Sequence, residues 1–376
     1  MKENSSMKKA IAAGHICLDI TPAFPMEAGR KATPAELLRP GKLIEVGAPD
    51  VHTGGSVANT GLAMKVLGAD VKLVGKVGND TFGGLVKSIL NEYDAGNDLI
   101  ADENCATSYS VVLAIPGNDR IFLHDPGAND TFEGSEIQDD ILQDIDLFHF
   151  GYPTLMKCMY ADNGRRLSAL FQRIRGNSII TSLDLAAVDP SGAAGACDWK
   201  AILGNTLPFT DFFVPSFEEL CFMLDRGHLE ELSKEAGDKD ITDLIDIEKD
   251  VIPLADTCHE MGAKAVLIKC GAPGLFLSVS ENVQDLCKRM DLDKTKWSGF
   301  SAFQRSFPVK NVISATGAGD VSIAAFLTSV LSGADPKTAM ENAAAAGALC
   351  CMSYDAISNL KQLAEIRKLI DSGWVI

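Results

Sequence analysis

Long hydrophobic runs are missing from this sequence. No stretch approaches the roughly 20 apolar residues that a membrane-spanning helix needs, and the longest candidate, Ala343–Met352, is about half that length. Near the start, Lys8 and Lys9 precede the apolar run Ala10–Leu18, but His15 interrupts it and nothing like a cleavage site follows. We therefore expect a first buried strand there rather than a signal peptide. We also expect a cytoplasmic protein with no membrane partner.

Positive charge is scarce. The 376 residues include 34 Lys and Arg against 51 Asp and Glu, which gives a formal net charge of −17. This balance argues against nucleic acid or an anionic membrane as a partner bound through general electrostatics, so we expect a small-molecule ligand. An anionic ligand would need local backbone N–H groups and a metal ion to overcome the global field.

Two patterns that would indicate other classes of protein are also absent. The ten cysteines contain no Cys-x-x-Cys pair and no regular spacing, which favours reduced core thiols over a disulfide framework or a zinc site. No Gly-x-x-x-x-Gly-Lys-Ser/Thr segment occurs, so a P-loop ATPase is not expected.

The sequence does contain an alternation of short β-prone runs with helical stretches. The inner strands are predicted at 147–150, 179–185, 212–214 and 265–269. Earlier elements are a strand at 9–20, a strand at 43–51, a helix at 57–67, a strand at 71–77 and a helix at 82–93. This alternation predicts an α/β protein with a mainly parallel sheet covered by helices on both faces.

Two β-prone regions do not fit that layering. Ser108–Ile115 and Arg120–His124 flank the turn sequence Pro116–Asp119, which predicts a hairpin. Together with the strand predicted at 43–51, this hairpin is interpreted as a small β-rich flap added to the main layer.

The strongest chemical signal is the segment Ser314–Asp320, which leads into the apolar helix Val321–Leu331. A turn of small residues at a helix N-terminus leaves backbone N–H groups without intrahelical partners, and the helix dipole favours an anion there. The carboxylate of Asp320 would lie beside a phosphoryl group bound at this point, where it could take a proton from an attacking hydroxyl. The alternative is that Asp320 only caps the helix.

Other segments decide between these two interpretations. The segments are Thr53–Gly68, Gly78–Gly83, Pro126–Asn129, Ile268–Gly274 and Thr316–Asp320. In this order they resemble the signature segments of the ribokinase-like (phosphofructokinase-B-type) carbohydrate kinase family. The resemblance extends from about Lys9 to Leu360. It implies a ribokinase-like three-layer α/β/α sandwich with a small β-sheet lid.

The resemblance also implies an ATP-dependent kinase that phosphorylates a hydroxyl of a small sugar-like substrate. Asp320 corresponds to the catalytic base, and Gly317, Ala318 and Gly319 correspond to the anion hole. Glu219 matches the acidic position that organises Mg²⁺, although a surface carboxylate on a helix would look the same in the sequence.

Binding residues are implied in the same way. Asp19, Gly54, Gly55 and Asn59 match positions that hydrogen-bond sugar hydroxyls. A diglycine lets backbone approach a polyol, and Asp and Asn supply acceptors and donors.

The nucleotide-facing positions match Lys269, Gly271, Gly274 and Asn342. For Asn342, the alternative is that the small residues of its helix serve close packing alone.

The chain departs from the family pattern at several points. Ser314 and Ala315 stand where the family commonly has Asp-Thr, and that Asp often helps build a monovalent-cation site, so the sequence does not support an expectation of K⁺ activation. Ser216 replaces the Asn of the family's Asn-x-x-Glu segment. The Pro-rich segment 22–42 and the segment 285–306 have no assigned counterpart.

We therefore expect one catalytic domain over residues 1–376, with a β-lid formed from about 15–53 and 106–126. The lid is expected to exclude water and to form a homodimer surface. Two alternatives stay open. The acceptor could be a nucleoside or a phosphosugar, for which Arg120 and His124 are the candidate basic cluster, or the chain could be a sugar-binding regulator without turnover.

Overall fold

The computed structural model describes residues 7–24, 38–115, 120–237 and 239–374. Its strands, in chain order, are β1 (Lys9–Gly14), β2 (Cys17–Thr21), β3 (Asp50–Gly54), β4 (Asp70–Gly78), β5 (Ile100–Asp102), β6 (Tyr109–Leu113), β7 (Ile121–Asp125), β8 (Leu147–Gly151), β9 (Ile180–Leu183), β10 (Phe212–Phe213), β11 (Ala265–Lys269), β12 (Gly274–Val279) and β13 (Ser301–Arg305). They form a nine-stranded sheet and a separate four-stranded sheet.

Helices connect most of these strands. They are α1 (Ser56–Leu67), α2 (Thr81–Asn91), α3 (Lys157–Gly176, interrupted by non-helical backbone at 161–164), α4 (Trp199–Thr206), α5 (Phe217–Leu224), α6 (Arg226–Ala236), α7 (Ile252–Glu260), α8 (Gln284–Met290), α9 (Lys294–Trp297), α10 (Ala318–Leu331), α11 (Pro336–Cys350) and α12 (Leu363–Asp371). Short 3₁₀ or π turns lie at Gly127–Thr131, Pro153–Leu155, Ala194–Ala196, Leu207–Phe209, Ile241–Leu244 and Ile247–Val251. Within the described ranges, no helix is long and apolar enough to cross a bilayer.

The large sheet has the order β13-β12-β11-β10-β9-β8-β1-β4-β5. Neighbours from β11 to β5 are parallel, while β12 is antiparallel to both β11 and β13. Because side chains alternate across a strand, the two faces of this sheet feed two separate hydrophobic cores. In β1, Ala10 and Ala12 enter the core that contains α1, α10 and α11, whereas Ile11 and Ala13 enter the core that contains α3, α4 and α5. The predicted three-layer α/β/α arrangement is confirmed.

Helix α10 is buried in the interior of the protein rather than lying on its surface. Every residue from Asp320 to Leu331 is buried, because α1 and α11 pack against it on either side. A helix that is apolar all round is expected in such a position. Its N-terminus is thereby fixed rigidly at one end of the sheet.

The small sheet has the order β3-β2-β6-β7. Strands β6 and β7 form the predicted antiparallel hairpin, and its turn, Pro116–Asp119, lies outside the described residues. The four strands span residues 17–54 and 109–125, where the lid was predicted at about 15–53 and 106–126. Of the Pro-rich segment 22–42, residues 25–37 likewise lie outside the described part of the chain.

Two strand predictions were wrong in extent. The run 9–20 is not one strand, because Gly14 has a positive φ of 123° and the chain leaves the large sheet there. Buried Asn129 then satisfies the backbone of Ile16, accepting from its N–H and donating to its carbonyl. The strand predicted at 43–51 starts only at Asp50, because its partner β2 pairs with residues 50–54 alone.

All ten cysteines lie in the described ranges and are free thiols, as predicted. The unassigned segment 285–306 contributes most of α8, all of α9 and edge strand β13.

Candidate active site

The segment that leads into α10 forms an open loop at the helix N-terminus. Gly317 precedes the helix with a φ of 79°, and no side chain caps it. The Ala318 amide donates to the Ala315 carbonyl over 3.1 Å, but the amides of Gly319 and Asp320 have no acceptor among the described residues. Gly317 to Gly319 line a cavity of about 530 Å³, here called the nucleotide-side cavity. The loop therefore presents free amides and the positive end of a helix to open space.

Asp320 lies at the wall of this cavity and is only 6% exposed. Its Oδ1 accepts from the Thr60 hydroxyl and its Oδ2 from the Asn59 amide, each over 3.1 Å. The Tyr152 hydroxyl is 2.8 Å from both oxygens. The side chain is thus neither a helix cap nor packed only among apolar groups, since its hydrogen-bond partners come from α1 and from the residue after β8.

Burial raises the pKa of Asp320, because an ionised carboxylate loses hydration there. The hydrogen bond from Tyr152, the positive charge of Lys269 and the bonds from Asn59 and Thr60 all act in the opposite direction. Burial and the neighbouring carboxylate of Asp320 raise the pKa of the Tyr152 hydroxyl well above its usual value, so the phenol stays protonated. A carboxylate with a raised pKa and a fixed orientation is suited to act as a general base.

The side chain of Lys269 lies beside Gly319 in the same cavity and is paired with Asp184. Lys269, at the end of β11, donates to Oδ1 of Asp184 over 2.6 Å. Burial alone would lower the pKa of Lys269, but Asp184 and Glu219 outweigh it and the pKa is raised. Burial raises the pKa of Asp184, with Glu219 and Asp320 adding to the effect and Lys269 opposing it. Five acidic residues line this cavity against the single ammonium group of Lys269, so the cavity is short of positive charge: Asp184, Glu218, Glu219, Asp240 and Asp320.

Glu219 lies in the first turn of α5 and lines the nucleotide-side cavity. Its Oε2 accepts from the Ser216 N–H over 2.8 Å, and the Ser216 hydroxyl accepts from the Glu219 N–H in return, which is a capping box. Within the described residues, no three His, Cys, Asp or Glu side chains form a ready-made metal site. The remaining carboxylate oxygens fit a Mg²⁺ that keeps several water ligands and enters with phosphates.

The other predicted nucleotide residues divide into two groups. Lys269 and Gly271 line the nucleotide-side cavity. Gly274 does not, because it pairs with Arg305 at the edge of the sheet. Asn342 is 3% exposed and donates to the Ser329 hydroxyl between α11 and α10, so it faces neither cavity described here. From α11, small residues reach the cavity instead: Ala344, Gly347 and Ala348.

A second cavity of about 670 Å³, here called the acceptor-side cavity, lies between the small sheet and the helices. Two of the predicted sugar-binding side chains, Asp19 and Asn59, line it. Gly54 and Gly55 are buried below it, where a Cβ on Gly54 would overlap the Asp19 carboxylate and a Cβ on Gly55 would overlap His15. Glycine at these two positions thus leaves room for the side chains of Asp19 and His15.

The two cavities share one residue, Gly317, in their walls. Asn59 lines the acceptor-side cavity and donates to Asp320, which lines the other. Arg120, just before β7, also reaches the loop, where its guanidinium donates to the Ser314 hydroxyl over 3.0 Å and contacts the Thr316 hydroxyl. The predicted base therefore stands at the boundary between two open spaces.

Sequence reasoning missed Tyr152, Thr60 and Asp184. Tyr152 directly follows β8 and Asp184 directly follows β9. Because ligands in open α/β sheets bind at the carboxyl ends of the strands, polar residues just after predicted inner strands were the available signal. Thr60 directly follows Asn59 in the segment Thr53–Gly68, which carries the diglycine.

Comparison with known proteins relates this geometry to a family. The model of the family described as pfkB family carbohydrate kinase matches residues 29–363. A protein of Archaeoglobus fulgidus described as an uncharacterized sugar kinase is 25% identical over 308 residues, which cover 81% of this chain and 100% of that protein. Fructokinase-1 of Zea mays is 25% identical over 331 residues, covering 85% and 88%.

Solved structures share the fold. Arabidopsis thaliana ribokinase complexed with ribose and ATP superposes with a TM-score of 0.71 at 19% identity, covering 97% of this chain and 99% of that one. A fructokinase with bound ATP from Xylella fastidiosa gives a TM-score of 0.70 at 18% identity, covering 98% and 99%.

Proposed function

Because the chain belongs to the pfkB family of carbohydrate kinases, we propose that it transfers the γ-phosphate of ATP to a hydroxyl of a small sugar or sugar-like acceptor, with Asp320 as general base. The observation that carries this proposal is the boundary between the two cavities. Gly317 belongs to both walls, and Asn59 links the acceptor-side cavity to the Asp320 carboxylate by a 3.1 Å hydrogen bond. An acceptor and a nucleotide could thus approach the same carboxylate from opposite sides.

The proposed reaction uses the site residues as follows. Asp19 and Asn59 hold the acceptor, Asp320 takes the proton of its hydroxyl, and the alkoxide attacks the γ-phosphate in line. The free amides at the start of α10 stabilise the charge that develops on the transferred group, because they are already oriented toward it. Lys269 contributes positive charge beside Gly319 of the same loop.

Mg²⁺ fits the carboxylates of the nucleotide-side cavity. Asp184 and Glu219 would hold it, partly through water, and it would offset the negative charge of the phosphates. The cavity is lined by five acidic residues and one lysine, and this excess of negative charge supports the assignment. We do not propose a K⁺ requirement, because the Ser314 hydroxyl is occupied by Arg120.

The charges of the acceptor-side cavity favour a neutral acceptor over a phosphorylated one. Asp19, Asp50 and Asp355 line it, against the single guanidinium of Arg120, which already donates to the loop. His124 does not join Arg120 in a basic cluster, since its ring lies 3.4 Å from the His15 ring and bonds to Ser110. A phosphate would meet net negative charge there.

A nucleoside is the second candidate acceptor. The aromatic rings of Tyr93, Phe122 and Tyr354 line the acceptor-side cavity, and its volume of about 670 Å³ is within the range of sites for drug-sized ligands. Aromatic walls of this kind suit a sugar that carries a second, flat ring.

The four-stranded sheet is proposed to act as a lid. Its residues Asp19, His52, Val112 and Phe122 form one wall of the acceptor-side cavity, so movement of the sheet would open or close that cavity to water. We propose that this lid belongs to a single catalytic domain, and that its outer face joins two copies of the chain in a cytoplasmic homodimer.

Acceptor-dependent ADP release tests the proposed function. Hexoses, pentoses, deoxy-keto acids and nucleosides are offered separately with Mg-ATP, and each product is checked by mass spectrometry for added phosphate. We expect at least one neutral acceptor to raise ADP release by roughly 100-fold or more over buffer. Thermal stabilisation by a sugar without any phosphorylated product would instead identify a sugar-binding regulator.

A further inference from the structure

Tyr152 occupies an unusual position in the backbone. It follows β8 directly and has a φ of 64° and a ψ of 40°, in the left-handed region that few residues other than glycine adopt. Its hydroxyl reaches Asp320 and is 2.8 Å from both carboxylate oxygens. A strained conformation that brings a side chain to a functional group persists only where the surroundings enforce it, and such conformations cluster at functional sites.

The hydrogen-bond count around Asp320 leaves one acceptor site free. A carboxylate has about four lone-pair sites. Asn59, Thr60 and Tyr152 supply one proton each. Because the single phenol proton can bond to only one oxygen at a time, one site on Oδ1 or Oδ2 stays available for an incoming hydroxyl. Because the two distances are equal, the phenol can donate its proton to either carboxylate oxygen without moving.

From this geometry we propose that Tyr152 is a positioning residue for phosphoryl transfer, which holds the Asp320 carboxylate ionised and oriented until the acceptor hydroxyl takes the vacant site. The inference rests on the proposed function, since it concerns the base of that reaction. It assigns no direct contact with the substrate to Tyr152.

The hydrogen bond that the Tyr152 phenol donates to Asp320 matters because little positive charge surrounds that carboxylate. The titratable groups around Asp320 and Tyr152 are Asp184, Glu219, Lys269, His15 and Cys350. Burial lowers the pKa of His15 to about 3 and raises that of Cys350 to about 12, so both stay neutral near pH 7. Only Lys269 offers positive charge, and it is paired with Asp184. Without the phenol, burial would raise the pKa of Asp320 further.

The sign of the pH effect follows from this. Activity requires ionised Asp320, so kcat/KM for the acceptor rises with pH through the pKa of that carboxyl group. Tyr152→Phe removes only the hydroxyl. We expect the acid-side midpoint of its pH profile to move upward by about one unit. Turnover should fall below that midpoint and recover at higher pH, while ATP affinity stays unchanged.

Tyr160→Phe is the matched control, because this half-buried tyrosine packs on Trp199 and lines neither cavity. Tyr152→Asn is the second test variant. Asn tolerates the left-handed backbone well, so this variant is expected to fold even if the Phe variant does not. Both Tyr152 variants should shift the midpoint upward, and Tyr160→Phe should not.

Folded Tyr152 variants with the wild-type pH profile would overturn this inference. Asp320→Asn, measured in parallel, distinguishes a failure of the role of Tyr152 from a failure of Asp320 as the base. If Asp320→Asn is inactive and the Tyr152 profiles are unshifted, only the role of Tyr152 fails. If Asp320→Asn keeps its turnover, the proposed base fails, and the role of Tyr152 with it.

Discussion

Gly317 illustrates how much depends on single residues at this site. It lies in the walls of both cavities and turns the chain into α10 with a φ of 79°. A Cβ at this position would lie 2.8 Å from the Cβ of Ala356, so any larger residue would have to displace the neighbouring loop. Both the backbone conformation and the space therefore require glycine.

We predict that Gly317→Ala lowers kcat/KM by about tenfold or more, because the amides of the anion site shift when the loop moves. The free energy of unfolding should fall by about 1–2 kcal/mol from the left-handed backbone alone. Gly333→Ala is the matched control, since Gly333 has a φ of 78° and open space around it, after the end of α10. The control should lose similar stability and keep full activity. Wild-type kcat/KM in Gly317→Ala would contradict the account.

How far sequence predicts such residues depends on whether their role is local. The loop 314–320 can be recognised from the sequence, because its small residues and its helix are contiguous in the chain. Tyr152 and Asp184 reach the same cavity wall only through the tertiary fold, from the ends of β8 and β9, and Thr60 reaches the Asp320 carboxylate from α1. For Asn342 the sequence left two interpretations open, and the side chain lies in the α10–α11 contact.

At the scale of elements, the small sheet has two chemically different faces. One face lines the acceptor-side cavity. The strand register aligns four aliphatic residues in a row across the other face: Val51, Ile20, Val111 and Leu123. Val51 is 40% exposed and Leu123 is 56% exposed. Ile20 and Val111 between them are half-buried, so the exposed apolar surface lies on the two edge strands. Exposed apolar residues that share one face of a sheet are typical of an interaction surface.

We predict that the chain is a dimer in solution and that Leu123→Asp converts it to a monomer, because a charge in the middle of an apolar contact would be desolvated. Multi-angle light scattering at micromolar concentration measures both states. Met7→Asp is the control, since Met7 is 66% exposed and lies beside Lys8, Gly68 and Asp291, none of which belongs to this sheet. A monomeric wild-type protein would contradict the prediction.

The boundaries of elements were harder to predict than their existence. The inner strands, the hairpin and the helices flanking the diglycine segment follow from periodicity and turn residues. The division of residues 9–20 between two sheets depends on Asn129, more than 100 residues away, which supplies the hydrogen bonds of Ile16. Local pattern carries no information about such a partner.

For the whole molecule, the parallel sheet explains why the site exists where it does. Tyr152, Asp184, Ser216 and Lys269 come at or just after the ends of β8, β9, β10 and β11, and all four line the nucleotide-side cavity. The molecule as a whole carries a charge of −17. Binding of an anionic nucleotide must therefore rely on the local amides, on Lys269 and on a metal ion rather than on the overall field.

The most direct measurement is the turnover number of Asp320→Asn with the best acceptor and saturating Mg-ATP. Asn has nearly the same size and shape as Asp but cannot accept the proton of a hydroxyl, so this replacement removes the base with little change in side-chain volume. Asp198→Asn makes the same replacement at the N-cap of α4 and should be silent. We predict a loss in kcat of about 10²- to 10⁴-fold for Asp320→Asn, with ATP binding and melting temperature nearly unchanged. Retention of about a tenth of wild-type turnover or more would contradict the assignment of Asp320 as the base.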